Sequence, residues 1–287
     1  MNVNTKRNYN EDSTNENEAA NEYAADMAEI ADREAQNTFD EGVEHELLAG
    51  YVDENGVTHK TYTLREMTGE DEEYINRSDI KSNGAKVSTA LLSRCVTSIG
   101  TLTKKAVGPK KWDEIFKSIL VGDRDIMLLE LRKQSIGSSI EVVHTCPNKE
   151  CRAKLKTIID VDELEITPYD GLREIPFELP KGYVDGKGVL HRNGKMRRPN
   201  GLDGEILTPV AKNNMAKAES LLLSRICQFD DGAYIDQSVM AKLSMKDRNY
   251  LQELLNEHSF GVNMTVPVMC DRCGEEFTGN LNQSNFI

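Results

Sequence analysis

Apolar and polar residues follow two different periods along this chain. Helices are predicted at about 68–77, 87–99, 112–119, 124–136, 208–227 and 245–258, from apolar residues at helical spacing, as in 87–99, or from a cap and an acidic first turn, as in 68–77. Short or alternating apolar runs predict strands at about 47–52, 57–64, 138–145, 155–161 and 262–269. Because both periods are well represented, the sequence predicts an α+β fold.

Turn and cap residues separate these elements. Asn55-Gly56 lies between the first two predicted strands and is typical of a hairpin turn, so the folded region is expected to start with this hairpin at Leu47. Asp123 and Ser244 are placed to cap the helices that begin after them. Thr208-Pro209 is placed to begin the helix that runs to Cys227.

The sequence also contains an internal repeat. Aligning Cys146 on Cys270 fixes an offset of 124 residues. Three further segments of the first half then fall on similar segments of the second: Asp123-Arg124 on Asp247-Arg248, Ser135–Gly137 on Ser259–Gly261, and, with a gap of seven residues, Leu91–Arg94 on Leu222–Arg225. We therefore predict a duplicated unit of helix, helix, strand and cysteine knuckle.

Each half ends in a closely spaced cysteine pair that follows a predicted strand. The pairs are Cys146-Pro-Asn-Lys-Glu-Cys151 and Cys270-Asp-Arg-Cys273. Four thiolates form a closed tetrahedral shell around a structural Zn²⁺, with metal–sulfur bonds of about 2.3 Å. Packing of the two units about a pseudo-twofold axis would bring the pairs together. We predict one zinc-ribbon-like four-cysteine site with Cys146, Cys151, Cys270 and Cys273 as ligands.

Other interpretations of these residues stay open at this point. The four cysteines could be unrelated reduced thiols, and a cage of four thiolates would also accept iron. His144 lies on the same strand face as Cys146, so it could replace a cysteine or donate a hydrogen bond to the site. Cys95 and Cys227 lie on apolar helical stripes and are expected in the core.

Composition divides the chain into four regions. Residues 1–46 hold 13 acidic and three basic side chains, most of the net charge of −13, and are expected to be a largely disordered leader with a helix at about 19–35. The first repeat spans 47–164 and the second 208–287, each with its cysteine pair. Between them, residues 165–207 are rich in Asn-Gly and Asp-Gly turns, which predicts a basic β-hairpin insert.

The charge distribution bears on the kind of partner. The leader could be a partner-binding tail or an electrostatic mimic, although a solvated segment has the same composition. Six basic residues make the middle of the insert basic, without an aromatic stacking platform: Lys181, Lys187, Arg192, Lys195, Arg197 and Arg198. We expect the insert to contact protein or aid solubility, and we expect no nucleic-acid partner because the body is nearly neutral.

Motifs of common enzyme classes are absent from the sequence. It contains no G-x-x-x-x-G-K-S/T loop, no G-x-G-x-x-G after a strand, no H-E-x-x-H and no deaminase H-x-E. A redox role for Cys270 and Cys273 would require a thiolate near a helix start, whereas this pair follows a strand. No run of 18 apolar residues and no secretory signal occurs. We expect a non-enzymatic protein in a reducing compartment, with no membrane partner and no small-molecule substrate.

The order of these motifs resembles that of a known family. Thr-Gly-Glu-Asp-Glu-Glu at 68–73 is followed by Leu-Leu-Ser-Arg-Cys at 91–95, by Val-Gly-Asp-Arg-Asp-Ile-Met-Leu-Leu-Glu-Leu-Arg at 121–132 and by the first cysteine pair. This order is similar to that of the baseplate hub assembly proteins of contractile-tailed, T-even-like bacteriophages. The resemblance covers about 47–166 and, more loosely, 221–277.

The resemblance implies a role in building or forming the tail baseplate. Other tail proteins, namely hub, tube or tape-measure proteins, would then be the partners. The protein would act in the host bacterial cytoplasm during assembly and, if retained, in the baseplate of the virion. The acidic leader, the basic insert and the widened first knuckle depart from the family pattern. The alternative is a zinc-ribbon nucleic-acid-binding or transcription adaptor protein that uses the basic insert.

The zinc hypothesis predicts an order of stability among cysteine variants. Because metal-binding energy becomes folding energy, Cys146→Ser and Cys270→Ser should each destabilise the protein more than Cys95→Ala. Thermal or denaturant unfolding of the three variants measures the difference. Equal unfolding midpoints would contradict a shared metal site.

Overall fold

The structure is a computed structural model, and it describes residues 42–281. Its helices are α1 (Gly69–Ile75), α2 (Gly84–Cys95), α3 (Lys104–Val107), α4 (Pro109–Ser118), α5 (Val121–Ser135), α6 (Gly201–Ala211), α7 (Met215–Ile226), α8 (Gln237–Lys242) and α9 (Met245–Glu257). Its strands are β1 (Val43–Val52), β2 (Thr58–Leu64), β3 (Val96–Ile99), β4 (Leu102–Thr103), β5 (Ser139–Thr145), β6 (Lys154–Asp160), β7 (Ile166–Thr167), β8 (Glu174–Val184), β9 (Leu190–Arg197), β10 (Cys227–Phe229), β11 (Gly261–Val262), β12 (Thr265–Met269) and β13 (Glu276–Asn280).

Most of the predicted acidic leader lies outside the described residues, as does its expected helix at 19–35. The exception is the end of the leader, because β1 begins at Val43, four residues before the expected start at Leu47. At the other end, Phe277 belongs to the closing strand β13.

An antiparallel sheet in the order β1-β2-β3-β4 forms the base of the N-terminal half, residues 43–160. The predicted Asn55-Gly56 hairpin is confirmed, and the Asp53 carboxylate closes its turn by accepting the N–H groups of Asn55 and Val57. Trp112 of α4 is completely buried against the sheet and α2. Its indole N–H donates to the Ser93 carbonyl at 2.9 Å, so this side chain anchors the core of the N-terminal half.

A three-stranded antiparallel sheet in the order β10-β9-β8 forms the base of the C-terminal half, residues 174–281. Ile175 and Phe177 of β8 face Phe229 of β10 in a core completed by Met240 of α8 and Leu251 of α9. The predicted cap of α9 is confirmed, because the Ser244 hydroxyl accepts the Asp247 N–H at 3.2 Å.

The outer strand of each sheet carries a bulge, and an aspartate from a helix fills it. In β1 the register shifts between Glu46 and Tyr51, and the Asp123 carboxylate accepts the N–H groups of residues 48, 49 and 50 at 2.7, 3.2 and 3.0 Å. Asp123 was predicted to cap α5, and this prediction is wrong. The helix is capped at Leu120, and Asp123 instead satisfies backbone donors that the bulge removes from the sheet.

The same contact occurs in the C-terminal half. The register of β8 shifts between Glu178 and Tyr183, and Asp247 of α9 accepts the Lys181 N–H at 2.7 Å. In both halves, therefore, the helix is held against the hairpin by the same interaction, an aspartate carboxylate that accepts backbone N–H groups of the bulge.

A buried aspartate flanked by two arginines also recurs. Asp71 accepts from Arg65 and Arg94 at 2.6–2.9 Å, and its side chain is 0% exposed. Asp203 is 1% exposed and accepts from Arg197 and Arg225. Each network ties the end of a hairpin strand to two helices.

The arginine after each helical aspartate is buried and bonded to the two helices or helix ends that precede it in its half, α2 and α4 for Arg124 and α7 and α8 for Arg248. The matching acceptors are the carbonyls of Ala85 and Phe116 and the hydroxyl of Thr89 for Arg124, and the carbonyls of Ala216 and Met240 and the hydroxyl of Ser220 for Arg248. In the Asp-Arg dipeptide at the start of α5 and of α9, the aspartate thus bonds the strand bulge and the arginine bonds the preceding helices.

Two helix predictions need correction. The helix expected at 87–99 ends at Cys95, because β-branched residues of 96–99 join the sheet as β3 beside β2. The expected all-β segment 165–207 contains β7, β8 and β9, but its end is helical. The Asn200 side chain accepts the Asp203 N–H and caps α6, so Pro209 lies inside that helix instead of at the start of one. The helix that reaches Ile226 begins only at Met215.

The Asp71 network makes stability depend on pH. Burial raises the pKa of Asp71, but the Arg65 guanidinium and the Thr68 N–H outweigh it and hold the pKa well below its ordinary value. Because the folded-state pKa is depressed, the stabilisation is present above the unfolded pKa of about 4 and is lost as pH falls through the folded pKa.

We therefore expect Asp71→Asn to lower the free energy of unfolding by about 3 kcal/mol at pH 7, because it leaves the two partly buried guanidinium groups of Arg65 and Arg94 without their counter-charge. The gap between variant and wild type should shrink below about pH 4. Asp79→Asn is the matched control, because Asp79 pairs with Arg77 at the surface and should contribute less than about 1 kcal/mol. Urea unfolding at several pH values measures both, and equal losses in the two variants would contradict the assignment.

Candidate metal centre

The two cysteine pairs lie in the turns of two β-hairpins. Cys146 follows β5 and its N–H donates to the Ala153 carbonyl at 2.9 Å, before β6. Cys270 follows β12 and its N–H donates to the Glu275 carbonyl at 2.8 Å, before β13. The strands predicted before and after the first pair are confirmed, and the strand before the second is confirmed as β11 and β12, with a break between them.

The apolar faces of the two hairpins pack against each other. Every second residue of β5 and of β12 is buried, as the alternating pattern predicts. The shared core includes aliphatic side chains from both hairpins: Ile140, Val142, Leu155, Val266, Val268 and Leu281. This packing brings the two turns together at one end.

The four sulfur atoms form a compact cluster between the hairpins. Cys146 Sγ lies 3.7 Å from Cys273 Sγ, and Cys151 Sγ lies 3.8 Å from Cys270 Sγ. All four lie within 4.8 Å of one another. A tetrahedron with metal–sulfur bonds of about 2.3 Å has sulfur–sulfur edges of about 3.8 Å, so the four cysteines could hold a metal ion. All four are free thiols, because a disulfide would need sulfurs about 2 Å apart.

Backbone donors act unequally on the thiols. Burial raises the pKa of Cys146. Burial also acts to raise the pKa of Cys270, but the N–H groups of Cys273 and Arg272 outweigh it and lower the pKa to about 7. Four adjacent thiolates repel one another, and a divalent cation would supply the charge that keeps all of them ionised.

The residue after each pair has a left-handed backbone. Arg152 follows Cys151 with φ of 49°, and Gly274 follows Cys273 with φ of 75°. Within residues 42–281, Arg152 is the non-glycine residue with positive φ. Both turns therefore need the same backbone geometry, which glycine adopts freely and arginine adopts at a cost.

Sequence reasoning missed a contact beside the cluster. His144 is buried on β5, outside the four-cysteine group, and its ring meets the edge of Phe277 with centroids 6.3 Å apart. It also lies against Gly279 of β13, where a Cβ atom would be 2.5 Å from His144 Cε1. No sequence motif indicated that glycine is needed at position 279, because the need comes from His144, 135 positions away.

The two remaining cysteines lie in the cores of the two halves, as predicted. Cys95 is completely buried and Cys227 nearly so. Burial raises the pKa of both thiols to about 12, so neither is a reactive thiolate at neutral pH.

The basic residues of 165–207 are mostly bonded within the fold. Four of the six donate to nearby carbonyls or carboxylates: Arg192 to the Leu179 and Pro180 carbonyls, Lys195 to Glu174, Arg197 to Asp203, and Arg198 to Asp170 and the Leu172 carbonyl. Only Lys181 and Lys187 of this set lack an ion pair among the described residues. The segment therefore exposes much less free positive charge than its composition suggests.

No helix within residues 42–281 combines the length and the apolar character that crossing a bilayer requires.

Comparison with known proteins gives one family. The family model described as T4 bacteriophage base plate protein matches residues 53–185. The matched range contains Asp71, Asp123 and the first cysteine pair and ends before the second pair. Neither a curated protein nor a solved structure matches the chain.

The left-handed positions predict opposite outcomes for two substitutions. Gly274→Ala should destabilise the protein by about 1–2 kcal/mol, because alanine is strained at φ of 75° although no atom lies within 4 Å of its Cβ position. Arg152→Gly should be neutral within about 1 kcal/mol or stabilising, since it relieves the same strain. Gly84→Ala is the control, because that helical position has neither strain nor close neighbours. Denaturant unfolding compares the three, and equal costs for Gly274→Ala and Gly84→Ala would contradict this interpretation.

Proposed function

We propose that this chain is a non-enzymatic baseplate hub protein or assembly factor of the T4-like phage baseplate protein family, which the family-model match over residues 53–185 supports. It acts through contacts with other tail proteins of the hub, tube or tape measure. These contacts form in the host bacterial cytoplasm during assembly, and the virion tail baseplate is the destination if the protein is retained. The family match is the observation that carries this proposal.

A structural Zn²⁺ is the second part of the proposal. Cys146, Cys151, Cys270 and Cys273 are the ligands, and the sulfur separations of 3.7 and 3.8 Å support tetrahedral coordination. Because each pair supplies only two ligands, the ion closes the site only by joining the two hairpins. A filled shell offers no position for a substrate or a catalytic water, which supports a non-enzymatic role.

The third part is a duplicated unit whose second copy begins near Glu174. The recurrence of the aspartate-filled bulge, the Asp–Arg–Arg network and the cysteine hairpin supports it. The hairpin β8-β9 lies beside β10 as β1-β2 lies beside β3. We therefore assign residues 174–197 to the second repeat instead of to an insert between repeats.

A nucleic-acid adaptor role is not favoured. Such a role would need free cations on the basic hairpin to displace counterions, and most of them are bonded internally. The absence of a mobility shift with duplex DNA at low salt is the expected result. A shift that disappears steeply with added salt would support the adaptor instead.

Metal analysis tests the zinc part. Protein purified without chelator should contain about one zinc per chain. Cys146→Ser and Cys270→Ser should reduce the metal content strongly, whereas Cys95→Ala should keep it. Chelation should lower the unfolding midpoint of wild type and of Cys95→Ala, because metal-binding energy is folding energy. Metal-free wild-type protein with a midpoint insensitive to chelator would refute the zinc part and leave the family assignment intact.

Infected cells test the baseplate part. A tagged copy should co-purify with hub, tube or tape-measure proteins, and phage that lack the gene should assemble no complete tail baseplates in electron micrographs. Complementation with Cys95→Ala should restore them. Normal baseplates without the protein would refute this role whatever the metal content.

A further inference from the structure

The inward face of the first cysteine hairpin contains one side chain that does not fit an aliphatic core. Ile140 and Val142 of β5 are followed at the next inward position by His144, two residues before Cys146. At the corresponding position of the second hairpin, two residues before Cys270, β12 has Val268. Of these two corresponding positions, the one before Cys146 therefore holds a histidine and the one before Cys270 an aliphatic residue.

Hydrogen bonding by Nε2 does not account for this imidazole. His144 is 7% exposed, and its Nε2 atom has no hydrogen-bond partner. The ring also lies outside the group of four sulfur ligands. A buried polar atom without a partner is unfavourable, so the ring contributes at this position through its packing contacts.

The ring fits against a glycine of the other hairpin. A Cβ atom on Gly279 would lie 2.5, 2.8 and 2.9 Å from Cε1, Nδ1 and Nε2 of His144. The edge of the imidazole therefore contacts the backbone of β13 directly. The ring also meets Phe277 edge to face at an interplanar angle of 78°. A larger residue at position 279 would require the His144 ring to turn out of its place or β5 and β13 to separate.

We propose that the contact between His144 and Gly279 is a positioning contact that sets the separation of the two cysteine hairpins and so preorganises the four-cysteine site. This inference rests on the proposed metal site. His144 is two residues before Cys146, and Gly279 lies on β13, six residues after Cys273, so the contact joins a strand of the first cysteine hairpin to a strand of the second. Cys146 Sγ and Cys273 Sγ are one of the pairs at tetrahedral distance, 3.7 Å apart.

The magnitude of the expected movement supports this role. Ordinary van der Waals contact begins at about 3.4 Å, so an alanine at position 279 would require a retreat of about 0.9 Å from the 2.5 Å contact. Metal–ligand distances tolerate only about 0.2 Å. A shift of that size between the hairpins would strain the metal geometry before it disrupted either hairpin.

Titration of the full chain with Co²⁺ alone tests the proposal, because cobalt held by four thiolates gives thiolate charge-transfer and ligand-field absorption bands. Gly279→Ala should weaken Co²⁺ binding about tenfold or more and change the ligand-field bands. The double variant His144→Ala/Gly279→Ala should recover most of the affinity, since removing the ring makes room for the methyl group. Gly84→Ala is the matched control and should bind as wild type does.

Circular dichroism and urea unfolding of the metal-free proteins separate positioning from folding. The proposal expects Gly279→Ala to change cobalt affinity and spectrum while the metal-free chain stays folded. Unchanged binding by Gly279→Ala, or no recovery in the double variant, would overturn the positioning role while the zinc site stands. If Gly279→Ala is unfolded without metal and His144→Ala/Gly279→Ala does not restore it, the proposal is also overturned. A wild-type chain that binds no Co²⁺ would remove the metal site itself.

Discussion

A strand that bulges out of a sheet leaves backbone N–H groups without strand partners, and the need to satisfy them organises both halves of this protein. The acceptor is the carboxylate of Asp123 in one half and of Asp247 in the other, each supplied by a helix that must lie across the hairpin to reach it. Three N–H groups compensate the burial of the Asp123 charge, although burial still raises the pKa of this carboxyl. The position of each helix against its sheet is thus determined by polar contacts as much as by apolar packing.

The following arginine extends this constraint to two further helices. Arg124 is 2% exposed and donates to α2 and α4, so these helices, α5 and the bulge of β1 meet at one Asp-Arg dipeptide. Burial lowers the pKa of Arg124 to about 10, which still leaves the guanidinium charged at neutral pH. The helices that carry these dipeptides, α5 and α9, end shortly before the strands of the cysteine hairpins. The sulfur cluster therefore lies at the end of a rigid scaffold, and a rigid scaffold suits a structural metal site better than a mobile scaffold does.

Much of the candidate metal centre could be predicted from sequence because its information is local. Cysteine spacing, the strand before each pair and the equivalent positions of the pairs in the internal repeat were enough to anticipate four sulfurs at one place, and the sulfur–sulfur separations agree. Asp123 was misjudged because a carboxylate in the first turn of a helix has the same sequence pattern whether it caps that helix or bonds a distant strand. The pairing of Asn200 with a following glycine was equally ambiguous, since Asn-Gly can make a turn or start a helix.

The features that sequence reasoning missed depend on contacts between distant segments. The position of β8-β9 beside β10 is visible only in the sheet, and it changes how the basic residues of that hairpin are understood. Arg197 belongs to a buried network and Arg198 is nearly inaccessible, although both count as free charge in the sequence. The requirement for glycine at 279 likewise arises from the opposite hairpin. Composition reports which groups are present but not which of them are already bonded.

The order in which a ribosome releases the two cysteine pairs follows from their distance along the chain. Cys151 and Cys270 are 119 residues apart. At a synthesis rate of about 5–20 residues per second, the first pair waits on the order of ten seconds for its partners. During that interval the first cysteine hairpin, β5-β6, has two thiols without their partners. The four-sulfur cluster can therefore form only after synthesis has passed Cys273, and a product truncated before that residue cannot form it.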